Sequence, residues 1–156
     1  MNMDLSYLLH QTVCGALAAA GFGVLFNIGF RVLPWCAASG ALALAVRTAA
    51  LGQGWSLVAA SFAAALAVGA GVQLIRSGIG VSRNALEVVG CIPMIPGGTA
   101  TKAILGLFAV AGLHPAAVHE ALITALENTL RVMFTIGALE TGLAIPTLLL
   151  RVRKMQ

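Results

Sequence analysis

Charged residues are scarce in this chain. Only 9% of its 156 residues are Asp, Glu, Lys or Arg, whereas 60% are hydrophobic, and the mean hydropathy is +0.98. A soluble domain carries about 25% charged residues. Because so few charges cannot cover the surface of a water-soluble globule, the composition excludes a soluble domain and predicts an integral membrane protein.

The residues that many catalytic and metal sites use are also rare. The sequence has a single Asp, at position 4, and three Cys residues in apolar runs without metal-ligand spacing. It contains no nucleophile-elbow, zinc-protease or phosphate-binding-loop motif. The net charge of +4 comes mostly from basic residues at the ends of apolar segments. We therefore expect neither an enzyme nor a nucleic-acid-binding protein, and no metal or cofactor.

Long apolar segments dominate the rest of the chain. They predict an all-α integral membrane protein, in one transmembrane domain (residues 1–156), with about five transmembrane helices and the fourth broken at a Pro-Gly run. The first segment has 26 positions without charge, too long for the apolar core of a signal peptide. The last is too long for one simple span, and its first part, residues 116–128, is either interfacial or transmembrane. The segments are residues 5–30, 34–51, 55–75, 85–112 and 116–150.

Basic residues at the segment ends predict an orientation. With five crossings, one side of the membrane receives six of them and the other receives only Asp4 and the turns at residues 52–54 and 113–115. Cytoplasmic loops carry the excess of Lys and Arg. This bias places the N-terminus outside and the C-terminus in the cytoplasm. The six residues are Arg31, Arg76, Arg83, Arg151, Arg153 and Lys154.

The most informative segment is residues 92–102, Ile-Pro-Met-Ile-Pro-Gly-Gly-Thr-Ala-Thr-Lys. Broken backbone survives in a membrane only where protein or a wet cavity satisfies it. A helix restarting at residues 97–99 would direct free N–H groups and its positive dipole end at such a cavity, which suits a carboxylate. The alternative is a proline kink with a snorkelling lysine. The candidate binding residues are Pro96, Gly97, Gly98, Thr99, Thr101 and Lys102.

A polar stripe is predicted on the last helix. Steps of four, three, four and four residues place its members on one face, which would line either a pathway or a subunit contact. The alternative for Glu127 and Arg131, four residues apart, is a structural ion pair. Arg131 or, alternatively, Arg47 is also a candidate second cation for a dicarboxylate. The stripe consists of Glu120, Thr124, Glu127, Arg131 and Thr135, with Asn128 beside it.

Other embedded polar residues allow two interpretations each. Arg47 either snorkels outward or points inward as a counter-ion for a substrate or partner. Asn27 precedes Arg31 by four residues, so both would share a face of the first helix. Asn27 would then line a pathway or form an interhelical hydrogen bond. Charged residues also fall within or at the edges of apolar segments at Glu87 and Glu140.

Four stretches resemble one known family. They are residues 24–31 (Val-Leu-Phe-Asn-Ile-Gly-Phe-Arg), 33–37 (Leu-Pro-Trp-Cys-Ala), 92–100 (Ile-Pro-Met-Ile-Pro-Gly-Gly-Thr-Ala) and 137–146 (Gly-Ala-Leu-Glu-Thr-Gly-Leu-Ala-Ile-Pro). Together they are similar to the threonine/serine exporter family, and in particular to its small, separately encoded YjjB-type subunit. The similarity spans nearly the whole chain, and the Ile-Pro-x-x-Pro-Gly run is its most specific element.

The resemblance implies a function and a partner. It implies an inner-membrane exporter that works with a larger YjjP-type subunit. Family substrates include threonine and serine and, for the two-subunit type, succinate. All three carry carboxylates, in agreement with the argument from the broken segment. The alternative function is a structural scaffold subunit that assembles with the partner without binding substrate.

Overall fold

The computed structural model describes residues 5–75, 83–110 and 115–152, and these residues are mainly helical. A short 3-10 turn, Ile92–Met94, continues the fourth helix toward the break. The described residues contain no β-strand, which confirms the predicted all-α class. The helices are α1 (Leu5–Leu25), α2 (Leu33–Gly52), α3 (Leu57–Ile75), α4 (Arg83–Cys91), α5 (Gly97–Val110) and α6 (Pro115–Val152).

Four of the described helices, α1, α2, α3 and α6, are long and apolar enough to cross a bilayer. Helices α4 and α5 are each too short, but together they qualify as one bent pair. The 14 residues of α5 extend only ~21 Å, less than the ~30 Å hydrocarbon core. The described chain thus has four spans, or five if the bent pair is one, which confirms the predicted membrane architecture with a broken fourth segment.

The first helix ends five residues earlier than predicted. Asn27 adopts a left-handed conformation with φ of 53°. The N–H of Ile28 donates to the carbonyl of Gly23 and that of Asn27 to the carbonyl of Val24, both at 2.9 Å. This pattern is a Schellman motif, in which Asn is tolerated at the left-handed position. The prediction that Asn27 and Arg31 share a helical face is therefore wrong, because Asn27 terminates the helix.

Small residues bring α1 and α2 close together. A Cβ added at Gly15 would lie 2.6 Å from the carbonyl oxygen of Gly40, and one added at Gly40 would collide with the Cβ of Ala19. Such contacts allow helix backbones to pack closely where lipid supplies no hydrophobic driving force. This contact belongs to a compact unit formed by Met1–Met94 and Ala138–Gln156.

The C-terminal part of α6 completes that unit by packing on α3. A Cβ at Gly142 would lie 2.8 Å from the carbonyl oxygen of Phe62. A Cβ at Gly69 would lie 3.2 Å from Cγ of Pro146. Pro146 is buried inside α6, which is helical on both sides of it. Gly69 on α3 and Gly142 on α6 therefore each pack directly against the opposite helix.

A second compact unit consists of Ile95–Gly137. It contains α5 and the first part of α6. A Cβ added at Gly106 would lie 3.0 Å from the Cβ of Ala125, so the two helices touch there. At 38 residues, α6 extends ~57 Å, and the same helix contributes to both units.

Candidate functional site

Two prolines produce the break between α4 and α5. Pro93 and Pro96 have no backbone N–H and cannot donate to the carbonyl four residues earlier. The chain tightens into the 3-10 turn Ile92–Met94, and a new helix begins directly after Pro96. The carbonyl of Pro96 accepts the first hydrogen bond of α5, from the N–H of Ala100, at 2.9 Å. The predicted restart of the helix at residues 97–99 is confirmed.

The first turn of α5 carries open backbone donors. The N–H of Gly97 donates to the carbonyl of Ile95 at 2.8 Å, whereas no acceptor among the described residues binds the N–H of Gly98 or Thr99. Both glycines are exposed, and no atom lies within 4 Å of a Cβ added to either. The turn contains no acidic residue. Free donors and the positive end of the helix dipole therefore face open space, an arrangement that favours an anion.

Lys102 lies on the same face of α5 as Gly98, one turn later. Its side chain is exposed, and long side chains on a helix lean toward the N-terminus. This preference would bring the ammonium group toward the open N–H groups. The hydroxyl of Thr101 donates to the carbonyl of Gly97 at 3.0 Å, so its proton is already used. Thr99 and Pro96 are half-buried.

The polar stripe on α6 faces away from α5. The surface of α6 toward α5 includes Ala125, Thr129 and Val132. Arg131 follows Thr129 by two residues and so lies about 200° further around the helix. Arg131 therefore lies on the outer face of α6, and Lys102 is exposed on α5. Four stripe members, Glu120, Thr124, Glu127 and Arg131, are exposed, and Asn128 is half-buried.

The hydroxyls of the stripe bond to their own helix. Thr124 donates to the carbonyl of Glu120 at 3.0 Å. Thr135 donates to the carbonyl of Arg131 at 2.7 Å and is fully buried, so it is not part of the exposed stripe. Among the described residues, Glu127 and Arg131 form no ion pair. The exposed stripe thus offers two acids and one arginine whose charges are not paired with each other.

Arg47 points into the protein. Its Nη1 donates to the carbonyl oxygen of Met94 at 2.8 Å. Met94 is fully buried, and Arg47 itself is half-buried. The outward, snorkelling alternative is therefore wrong. The group that Arg47 binds is the last backbone carbonyl before the break.

Comparison with known families gives this arrangement a context. A family model described as "Threonine/Serine exporter, ThrE" matches residues 11–149. The chain belongs to the threonine/serine exporter family. No solved structure matches the chain. The matched range of this exporter includes the break, the first turn of α5, Arg47 and the stripe on α6.

Membership in this family indicates the location and the general class of the protein. The protein is a multi-pass membrane protein of an exporter-type transport family, and such a family is not an enzyme class. Within the described residues, no group of three or more His, Cys, Asp or Glu side chains is placed to hold a metal ion.

Two features of the exporter were missed by sequence reasoning. The first is the Met94 carbonyl as the acceptor of Arg47. The prolines indicate that some carbonyl loses its helical partner, and a lone arginine in an apolar helix needs an acceptor, but nothing local joins the two. The second is the deep burial of Glu87, which is 6% exposed on α4. The sequence identified it only as an embedded charge.

Proposed function

We propose that this chain is a subunit of a two-component inner-membrane exporter of small carboxylates, acting with a larger YjjP-type partner. The solute is a succinate-type dicarboxylate or threonine and serine. Its carboxylate binds at the first turn of α5, to the N–H groups of Gly98 and Thr99 and to Lys102. The C-terminus faces the cytoplasm and the N-terminus faces outside.

The observation that carries this proposal is the first turn of α5. It combines two open N–H donors, two glycines without neighbours at the Cβ position, and a lysine on the same face. A cation near a helix N-terminus is unfavourable to the helix itself, because the dipole is positive there. No acid in the turn offsets it. A bound carboxylate would neutralise both charges and accept charge-assisted hydrogen bonds.

The site favours a carboxylate without distinguishing among the family's substrates. Lys102 carries a compact point charge, which does not distinguish the rest of one solute from that of another. The predicted second cation for a dicarboxylate was Arg131 or Arg47. Arg131 lies on the outer face of α6, and Arg47 donates to the carbonyl of Met94. The carboxylate shared by succinate, threonine and serine is therefore the part of the solute that this site recognises.

A second candidate function is a scaffold subunit that does not bind solute. The observation in its favour is the exposed stripe on α6, where Glu120, Glu127 and Arg131 project from an apolar helix. Charges at membrane depth are costly unless protein or water meets them. A contact with the larger subunit would satisfy them.

Efflux from whole cells tests the exporter function. Cells lacking native exporters are preloaded with labelled succinate or, separately, with labelled threonine. The chain is expressed alone and together with its YjjP-type partner. We expect efflux only when both chains are present, and the faster solute identifies the substrate. No efflux of either solute, with both chains confirmed in the membrane, would contradict the proposal.

Three variants separate the exporter function from the scaffold function. If the chain binds solute, Lys102→Ala abolishes efflux while the complex still assembles, and Lys102→Arg retains part of it. If the chain is only a scaffold, Lys102→Ala is silent and Arg131→Glu dissociates the complex. Co-purification of the two chains, measured beside efflux, distinguishes the cases.

A further inference from the structure

Arg47 and the proposed carboxylate site are related through one backbone hydrogen bond that does not form, from the N–H of Gly98 to the carbonyl of Met94. In a continuous α-helix, the N–H of residue 98 would donate to the carbonyl of residue 94. In this protein the Met94 carbonyl instead accepts from Arg47 Nη1 at 2.8 Å. The N–H of Gly98 has no acceptor among the described residues. The acceptor of the missing bond is thus satisfied inside the protein, and its donor is left open.

The Met94 carbonyl needs a donor wherever the chain bends. Met94 is 0% exposed, and a buried backbone carbonyl without a partner is strongly unfavourable in apolar surroundings. Pro96 follows two residues later and has no N–H to offer. Arg47 reaches this carbonyl from α2, 47 residues away in the sequence. If Arg47 could not donate, the nearest helical donor for Met94 would be the N–H of Gly98.

We propose that Arg47 is a positioning residue of the carboxylate site: by holding the Met94 carbonyl toward α2, it keeps that carbonyl from accepting the Gly98 N–H, which stays available to the solute. This inference rests on the proposed function, because it assumes that the Gly98 N–H binds the solute. Arg47 does not touch the solute. It acts through the backbone. Because a carbonyl oxygen can accept two hydrogen bonds, Arg47 works by fixing the direction of the Met94 carbonyl and not by saturating it.

Three substitutions at this position have different expected effects. Arg47→Met keeps an unbranched chain, although a shorter one, and donates no hydrogen bond, so Met94 and the solute compete for the Gly98 N–H. We expect the half-saturating solute concentration to rise about tenfold. Arg47→Lys keeps one charged donor and restores most of the wild-type affinity. If Arg47→Met does not accumulate, Arg47→Gln, a single neutral donor, replaces it, with a smaller rise expected.

The sequence provides two site-specific reporters. Gly97-Gly98 is the only Gly-Gly pair in the chain, and Met94-Ile95 is the only Met-Ile pair. Labelling with [1-13C,15N]glycine therefore gives one carbonyl–nitrogen correlation, at the Gly98 amide. Labelling with [1-13C]methionine and [15N]isoleucine gives one correlation, at the Met94 carbonyl. Both are recorded by NMR on the full-length protein in lipid nanodiscs, without solute and during titration with succinate or threonine.

The expected result has four parts. The Gly98 amide of the wild-type protein shifts on titration with succinate or threonine. In Arg47→Met, the Met94 carbonyl and Gly98 amide signals both move before any solute is added, and half-saturation needs about tenfold more solute. Arg47→Lys returns the signals toward their wild-type positions. Arg31→Met, which removes an exposed arginine between α1 and α2, leaves all of them unchanged.

Two results would overturn the inference. One is an Arg47→Met protein whose Met94 and Gly98 signals and half-saturation match the wild type. The other is an Arg47→Lys protein that behaves like Arg47→Met, which would show that arginine acts by packing. A wild-type Gly98 amide that responds to neither solute instead contradicts the proposed binding site. In that case the solute-free spectra of Arg47→Met still decide whether Arg47 controls the backbone at the break.

Discussion

Gly98 shows how a single residue can matter through its backbone. The residue is exposed, its N–H has no acceptor among the described residues, and no atom lies within 4 Å of the position of an added Cβ. Packing therefore does not require glycine here. What glycine provides is unobstructed approach to the N–H, which a larger side chain would cover.

This reasoning predicts the effect of Gly98→Leu. The variant should fold and insert, because leucine favours a helix more than glycine does and the space is open. Efflux of the substrate should fall about tenfold or more, because the carboxylate loses charge-assisted hydrogen bonds. The measurement is the initial rate of efflux at matched protein levels in the membrane.

Gly21→Leu is the matched control. Gly21 is also helical and exposed, with no atom within 4 Å of an added Cβ, but it lies in α1. Its efflux rate should equal that of the wild type. Equal rates for Gly98→Leu and Gly21→Leu would remove Gly98 from the binding site.

At the scale of elements, close approach of helices and interruption of helices have different causes. Gly15 and Gly40 let the backbones of α1 and α2 pack almost in contact. The break between α4 and α5 follows from two prolines, and its carbonyl is satisfied by Arg47. The first feature concerns stability, whereas the second creates the proposed site.

The contact between α1 and α2 gives a stability prediction. In Gly40→Val, the new side chain would overlap Ala19 and the carbonyl of Gly15, so the helices must separate. Overpacking of this kind typically costs about 1–3 kcal/mol. Gly21→Val adds the same side chain to the open face of α1 and should cost less. Reversible unfolding of both purified variants in mixed micelles checks the difference, and equal stabilities would contradict the described contact.

At the scale of the whole molecule, the distribution of positive charge determines the proposed orientation. Of the six basic residues on the proposed cytoplasmic side, Arg31 is exposed after α1. Arg83 and Arg151 fall within the bounds of α4 and α6. Arg76, Arg153 and Lys154 lie outside the described residues. The bias predicts that the turn after α2 faces outside and the C-terminus faces the cytoplasm.

Reporter fusions test this orientation. Alkaline phosphatase inserted after Gln53 should be active, and green fluorescent protein fused after Gln156 should fluoresce. The exchanged fusions should both be inactive, since each reporter works on only one side of the inner membrane. The opposite pattern would invert the proposed direction of every span.

The sequence by itself determined the class, the family and the place of the break. The scarcity of charge required a membrane protein. The effect of Pro93 and Pro96 on backbone hydrogen bonding is local, so the break could be predicted without knowledge of the tertiary structure. The end of α1 before Asn27 was harder to predict from the sequence. An asparagine in apolar sequence ends a helix only where a left-handed turn is more stable than another helical turn.

Only the tertiary structure decided which distant groups meet. The bond from Arg47 to the Met94 carbonyl joins residues 47 positions apart, and it depends on how α2 packs on the end of α4. The outward direction of Arg131 likewise depends on which face of α6 packs on α5. Local sequence determines which groups need a partner, whereas packing determines which partner is within reach.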